Sequence, residues 1–450
     1  MGTRRTIGSA RPGRATVIAA DADTARHVTC ALGPARKNVR EVVGARGLES
    51  LAGEAEVAPG VLVVAPWLGS AAALIAAVDR AARSDVAVIV WAASSRLSGS
   101  DDDAWILDRL LEQRGAMATR SLVVAGEAAR LVAAVGGGPL PAITVSASRS
   151  DLAARMARGL GRCHLVPKPA SRRTAGLVVT AGRDGALRLT GGKGGPQPIA
   201  DADAFCEALA LVAAHEGGCA PDDETQGDRI PVSEVDAIVR PPARLLSETT
   251  SKRLLGCFGI GHGPEQLCRS ANDAVRAAAD MGGPVVVKLV RPALEGKAAL
   301  GAVRLGAVGA SAVRRAAHSL LNMAAYMGPP PALGVLVARQ VDGGARAWLK
   351  LVDHPLFGRI VVAGPGDVPS ERGTLALGLP LTEAQARAAV VGASLAGEGP
   401  AADTLAAAVA AFGRMAHSLG PRLTRAEIHP LAAFGDGAPA LALDALVGVA

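Results

Sequence analysis

Three features of the sequence predict an α/β fold of more than one domain. Short runs of Val, Ile and Leu recur along the chain, Ala-rich helical stretches separate them, and half the residues are hydrophobic while only 2% are aromatic. Small aliphatics suit strands buried on both faces under Ala-rich helices, so layers of helix on parallel sheet are the expected build. At 450 residues the chain is longer than one hydrophobic core usually serves, and division into domains follows.

Residues 1–14 are polar and Gly-rich, and a disordered tail is expected there. From Ala15 onward the apolar runs 16–20, 61–65 and 86–90, with a helical stretch at 71–82, read as buried parallel strands in βαβ units. That pattern predicts a flavodoxin-like domain over residues 15–138. A second, shortened flavodoxin-like region is expected over 139–216, with strands at 142–145 and 176–179 and helices at 151–160 and 203–215. Residues 217–243 hold Gly, Pro and the acidic run Asp222-Asp223-Glu224, which reads as a linker. The remaining residues, 244–450, form the last predicted domain.

Charge narrows the range of partners. The formal net charge of +7 arises from 48 Lys and Arg against 41 Asp and Glu, with Arg scattered through helical segments. Nucleic-acid binding needs a clustered basic footprint, often with stacking aromatics, so no nucleic-acid partner is expected. No apolar run approaches the roughly 18 residues of a membrane span, and no apolar stretch follows the charges of Arg4 and Arg5. The chain reads as cytoplasmic, with no membrane partner. Its six cysteines show no Cys-x-x-Cys spacing and read as reduced, small core residues.

Chemistry-bearing motifs gather in the last two hundred or so residues. Ser247-Glu248, Lys252 and Leu254-Leu255 outline a capped helix closed by Gly259-Ile260, and Pro284-Val285-Val286-Val287-Lys288 reads as a strand ending in Lys. Then come the strand Gly334-Val335-Leu336-Val337-Ala338-Arg339-Gln340, the turn Asp353-His354-Pro355-Leu356-Phe357-Gly358, and the loop Gly364-Pro365-Gly366-Asp367-Val368-Pro369-Ser370-Glu371. Glu427-Ile428-His429-Pro430 and Asp444 complete the order. In this order the motifs resemble an ATP-grasp domain, and more closely the ATP-grasp half of the ADP-forming acyl-CoA synthetases, relatives of succinyl-CoA ligase and acetate–CoA ligase.

The resemblance implies an acid–thiol ligase that uses ATP to make an acyl phosphate from a small carboxylic acid and then an acyl-CoA. ATP and Mg²⁺ would be its cofactors and coenzyme A its co-substrate. Lys288 and Glu371 are the implied catalytic residues; the Lys288 ammonium would neutralise charge developing on the phosphates. Lys252, Lys288, Gln340, Gly364 and Gly366 are the implied nucleotide contacts, with backbone N–H groups of the glycine loop approaching phosphate free of Cβ clashes. Glu427, His429 and Asp444 match the positions that hold Mg²⁺.

Several positions depart from the family pattern. Arg346 stands where a Glu is usual, and Asp367 replaces a loop Gly. His429 puts an imidazole, a ligand better suited to Zn, Cu, Fe or Ni, in place of an amide oxygen. Gly296 replaces a His just before the retained Lys297, and Ala93 falls at the phosphohistidine position of a loop resembled by residues 92–101. Imidazole can accept a phosphoryl group and pass it on; alanine cannot. No Gly-x-Gly-x-x-Gly follows the first strand, so a CoA-binding partner subunit and an oligomer are expected. Three readings stay open: the acid–thiol ligase, a carboxylate–amine ligase of the same fold, and a catalytically reduced nucleotide-binding subunit of such a synthetase.

Overall fold

The computed structural model describes residues 230–450, apart from 243, 293, 295, 298, 370–373 and 398. Before residue 230 it describes the strands and helices named below, together with residues 22, 25–26, 29, 114–115, 120–121 and 201. The expected tail at 1–14, the helix at 151–160, the position of Ala93 and Glu371 lie outside the described residues. Two compact units make up the chain, Met1–Asp222 with Pro355–Phe357, and Asp223–His354 with Gly358–Ala450.

In the first unit, β1 (Ala15–Ala19), β2 (Val39–Val43), β3 (Val61–Val64), β4 (Ala87–Trp91) and β5 (Ala116–Thr119) form one sheet in the order β2-β1-β3-β4-β5, every pair parallel. Helices α1 (Ala71–Arg83), α2 (Asp101–Gln113) and α3 (Leu122–Val135) accompany it. Leu74, Val78 and Ala81 fall on one stripe of α1 and share a core with Val88 and Val90 of β4 and Leu107 and Leu111 of α2. A second sheet, ordered β10-β9-β8-β6-β7, is built from β6 (Ile143–Ala147), β7 (Lys168–Pro169), β8 (Leu177–Ala181), β9 (Leu187–Thr190) and β10 (Gln197–Ile199). Helix α4 (Ala202–Glu216) packs against α3.

The second unit opens with a helix that the sequence reading did not anticipate. Residues expected to be linker contain α5 (Val232–Val239), whose Val235, Ile238 and Val239 are buried in the main core of this unit. Their spacing puts them on one helical face, and burial of that face outweighs the poor helix composition of the stretch before it. There follow β11 (Arg244–Leu245), α6 (Glu248–Gly256), β12 (Glu265–Cys268), α7 (Ala271–Met281), β13 (Val285–Val290), β14 (Val303–Ala307), α8 (Gly309–Ala325) and β15 (Gly334–Arg339).

Strands β12-β15-β13-β14 make a four-stranded antiparallel sheet. Val285, Val287 and Leu289 of β13 pack with Ala274 and Ala277 of α7 and with Val313 and Leu320 of α8. Because side chains alternate along a strand, Lys288 points away from those helices.

The remaining elements are β16 (Ala345–His354), β17 (Gly358–Pro365), β18 (Leu375–Gly378), α9 (Glu383–Gly392), α10 (Pro400–Leu419), β19 (Leu423–Ala433), β20 (Leu441–Ala442) and β21 (Ala445–Val449). Their antiparallel sheet runs β11-β21-β19-β16-β17-β18, with β20 beside β19. Ala347, Leu349 and Leu351 of β16 and Ala426 and Ile428 of β19 share a core with Leu405, Val409, Phe412 and Met415 of α10. The same alternation directs Trp348, Lys350, Glu427 and His429 to the opposite face.

Candidate functional site

One buried carboxylate organises the polar centre of the second unit. Glu248 is the first residue of α6, where Ser247 caps the helix by accepting from the Thr250 N–H at 3.3 Å. A carboxylate at a helix N-terminus is favoured by the helix dipole. Glu248 Oε1 accepts from Lys252 Nζ at 2.8 Å and from Lys288 Nζ at 2.8 Å, and Oε2 accepts from Lys297 Nζ at 2.5 Å. Three ammonium groups thus converge on one side chain that is 1% exposed.

Each lysine comes from a different element and has a second acceptor. Lys252, one turn along α6, also reaches Glu265 Oε2 of β12 at 2.8 Å. Lys288 on β13 donates to the Leu443 carbonyl at 2.5 Å. Lys297, from the turn after β13, donates to Asp444 Oδ1 at 2.7 Å. Burial acts to raise the Glu248 carboxyl, but attraction to Lys288, Lys252 and Lys297 outweighs it and holds the group well below the ordinary carboxylate value. For Lys252 and Lys297 burial disfavours the charge, yet Glu248 with Glu265 in one case and with Asp444 in the other raises both above the ordinary lysine value.

A second charged group lies on β19. Glu427 Oε1 meets Arg425 Nε at 3.0 Å and Lys350 Nζ at 3.7 Å, and Oε2 lies 3.5 Å from His429 Nε2. The hydrogen bond with His429 is the largest influence on this carboxyl; burial opposes it, Arg425 reinforces it, and the value falls to about 2. Strand pairing links this group to Asp444, whose carbonyl accepts the His429 backbone N–H at 3.1 Å.

Lys252, Lys288 and Asp444 are therefore brought together, while Glu427 and His429 form a neighbouring pair on β19. Gln340 lies apart from both, its Oε1 accepting from the Gly306 N–H at 2.7 Å and its Nε2 donating to Asp342 at 2.9 Å. Gly364 sits against the ring of Trp348, its partner across β16 and β17. Gly366, at φ +92°, donates its N–H to the Arg346 carbonyl at 2.9 Å. Two residues central to the cluster, Glu248 and Glu265, were not singled out as site residues from sequence. The i, i+4 spacing of Glu248 and Lys252 on a helix was the available signal.

Glu427, His429 and Asp444 can be tested as a magnesium site on this geometry. Mg²⁺ demands open oxygen ligands in a near-octahedral shell. Here Asp444 Oδ1 is held by Lys297, and both Glu427 oxygens are engaged by cationic or ring donors. Among the described residues no group of three His, Cys, Asp or Glu side chains is close enough to hold an ion. The arrangement does not fit a divalent cation.

The model of an ATP-grasp domain matches residues 238–449. The chain therefore carries an ATP-grasp domain. The chain is similar to the β subunit of an ADP-forming acetate–CoA ligase from Pyrococcus furiosus, 27% identical over 213 residues that cover 45% of this chain and 90% of the subunit. It is also similar to an ADP-forming acetate–CoA ligase from Archaeoglobus fulgidus, 33% identical over 116 residues, 26% of this chain and 17% of that one. The chain thus spans most of the Pyrococcus subunit but under a fifth of the Archaeoglobus ligase. A solved acetyl-coenzyme A synthetase from Ca. Korarchaeum cryptofilum overlaps 46% of this chain and 94% of that chain, with 22% identity and a TM-score of 0.40. The resemblance read from the motifs is borne out by the domain match and by these relatives. Among the described residues no helix is long and apolar enough to cross a membrane.

Proposed function

We propose that this chain is the nucleotide-binding subunit of an ADP-forming acid–thiol ligase. A carboxylate oxygen of a small acid attacks the γ-phosphorus of ATP, ADP leaves, and the acyl phosphate forms. The thiolate of coenzyme A, presented by a partner subunit, then attacks the acyl carbon, and inorganic phosphate leaves. The observation that carries this reading is the convergence of Lys252, Lys288 and Lys297 at Glu248 inside the stretch matching the ATP-grasp model. Clustered ammonium groups in a site shielded from water stabilise phosphate charge far better than they would in solvent. Relatives that are subunits support the partner chain.

The same proposal includes a flavodoxin-like domain over 15–138, supported by the parallel strand order β2-β1-β3-β4-β5. It further assigns a shortened second region to 139–216, the ATP-grasp domain to 244–450, and a cytoplasmic location. A second reading, a subunit that binds nucleotide without turning it over, is favoured by Ala93 and Gly296 at the two family histidine positions.

Hydroxylamine traps acyl phosphates as hydroxamates, so ATP and a panel of short carboxylic acids separate the readings. Hydroxamate formed with one acid class supports the ligase. ATP binding with no hydroxamate for any acid, partner present or absent, favours the second reading. Failure to bind ATP or ADP at all overturns both.

A further inference from the structure

Lys297 stands where the ATP-grasp resemblance would put an ion. Its Nζ bridges Glu248 Oε2 at 2.5 Å and Asp444 Oδ1 at 2.7 Å, so both carboxylates already have a cation tethered between them. A free divalent ion would have to displace that ammonium from both carboxylates, and Mg²⁺ gives up its own water reluctantly. Glu427 offers no alternative, because Arg425, Lys350 and His429 surround it.

The lysines also retain capacity for an anion. An ammonium carries three N–H donors. Lys252 spends two on Glu248 and Glu265, Lys288 two on Glu248 and Leu443, and Lys297 two on Glu248 and Asp444. Among the described residues one N–H on each has no acceptor, which leaves three donors from three elements around a single buried carboxylate.

We propose that this site takes the phosphates of a nucleoside polyphosphate as the free anion, without a divalent cation, Lys297 standing beside Asp444 in the place an ion would need. The inference rests on the nucleotide-binding reading above and specifies its ionic form. It separates this chain from the carboxylate-held metal implied by the sequence resemblance.

Titration of the full chain with ATP decides the matter, once in excess EDTA and once in excess Mg²⁺, followed by calorimetry and by melting temperature. The expected result is binding in EDTA at least as tight as in Mg²⁺. Binding that appears only with Mg²⁺, or tightens about tenfold with it, which is about 1.4 kcal/mol, overturns the proposal while leaving nucleotide binding intact. Absence of binding in both conditions overturns the nucleotide reading and this proposal together. Lys297→Met frees Asp444, and its ATP affinity should fall in EDTA and become dependent on Mg²⁺. Lys297→Arg keeps a charge beside Asp444 and should recover metal-free binding. Wild-type affinity of Lys297→Met in EDTA would also overturn the proposal, and circular dichroism of both variants establishes that the fold is retained.

Discussion

Lys288 Nζ lies 2.8 Å from Glu248 Oε1, a buried contact between residues 40 apart in sequence. It ties an inner strand of the four-stranded sheet to the N-terminus of α6, whose Leu254 and Leu255 lie in the core of the larger sheet. Glu248 is therefore a charge hub for two layers, shared by Lys252, Lys288 and Lys297. Glu248→Gln would keep the shape but leave Lys252, Lys288 and Lys297 short of one negative charge. Removing one partner of a buried ion pair costs about 3–5 kcal/mol, because the orphaned charge stays desolvated. Urea unfolding should show a loss of that size, and a loss below about 1 kcal/mol, the scale of an exposed pair, would show that water reaches the cluster.

Gly364 makes a different kind of contact. A Cβ built there would come 2.6 Å from Trp348 Cζ2 and 2.8 Å from Trp348 Nε1. The indole is 2% exposed, and its N–H has no hydrogen-bond partner among the described residues. Gly364→Ala should push the ring out of place, at the cost of about 1–3 kcal/mol typical of overpacking. The Trp emission spectrum and the urea midpoint should shift together. A variant with wild-type stability would mean that the ring moves aside freely.

Much of the C-terminal fold was legible because its signals are local. The apolar run 284–287 before Lys288 marked β13, although the strand continues to Val290. Ser247 announced the start of α6 through ordinary capping chemistry. The charge cluster was less legible, since Lys297 and Asp444 are 147 residues apart and nothing in their spacing joins them. Glu248 was hidden in plain view, because an acidic residue after a Ser cap reads equally well as helix-start decoration. Helix α5 was masked by the Gly, Pro and acidic residues that precede it; only its buried face against the larger core reveals why it forms.

The proposed absence of a phosphohistidine relay gives a chemical prediction. Gly296 occupies a family histidine position and adopts φ +60°, a conformation that side-chain-bearing residues rarely take. Ala93 occupies the other position. Incubation with γ-labelled ATP should leave no acid-labile, base-stable phosphate on the chain. Label mapped to His164 or His262 would restore a histidine relay and contradict the direct transfer from acyl phosphate to coenzyme A.

Acid should destabilise the protein through Glu427 in a defined window. The carboxyl is lowered from an ordinary 4.5 to about 2 in the folded chain. The folded state therefore binds its proton more weakly than the unfolded state, and stability from this group is present above pH 4.5 and lost as pH falls towards 2. A displacement of this size corresponds to at most about 3 kcal/mol at neutral pH, and solvent screening lowers it, because Arg425 and Lys350 are 34% and 48% exposed. Glu248 shifts in the same direction and adds to the acid loss. Urea unfolding at stepped pH should give a wild-type stability that falls steeply below pH 4.5. Glu427→Gln, which cannot ionise, should start lower at neutral pH and fall less steeply, the two curves converging in acid. Parallel curves through that window would show that the His429 and Arg425 contacts do not hold the charge of Glu427.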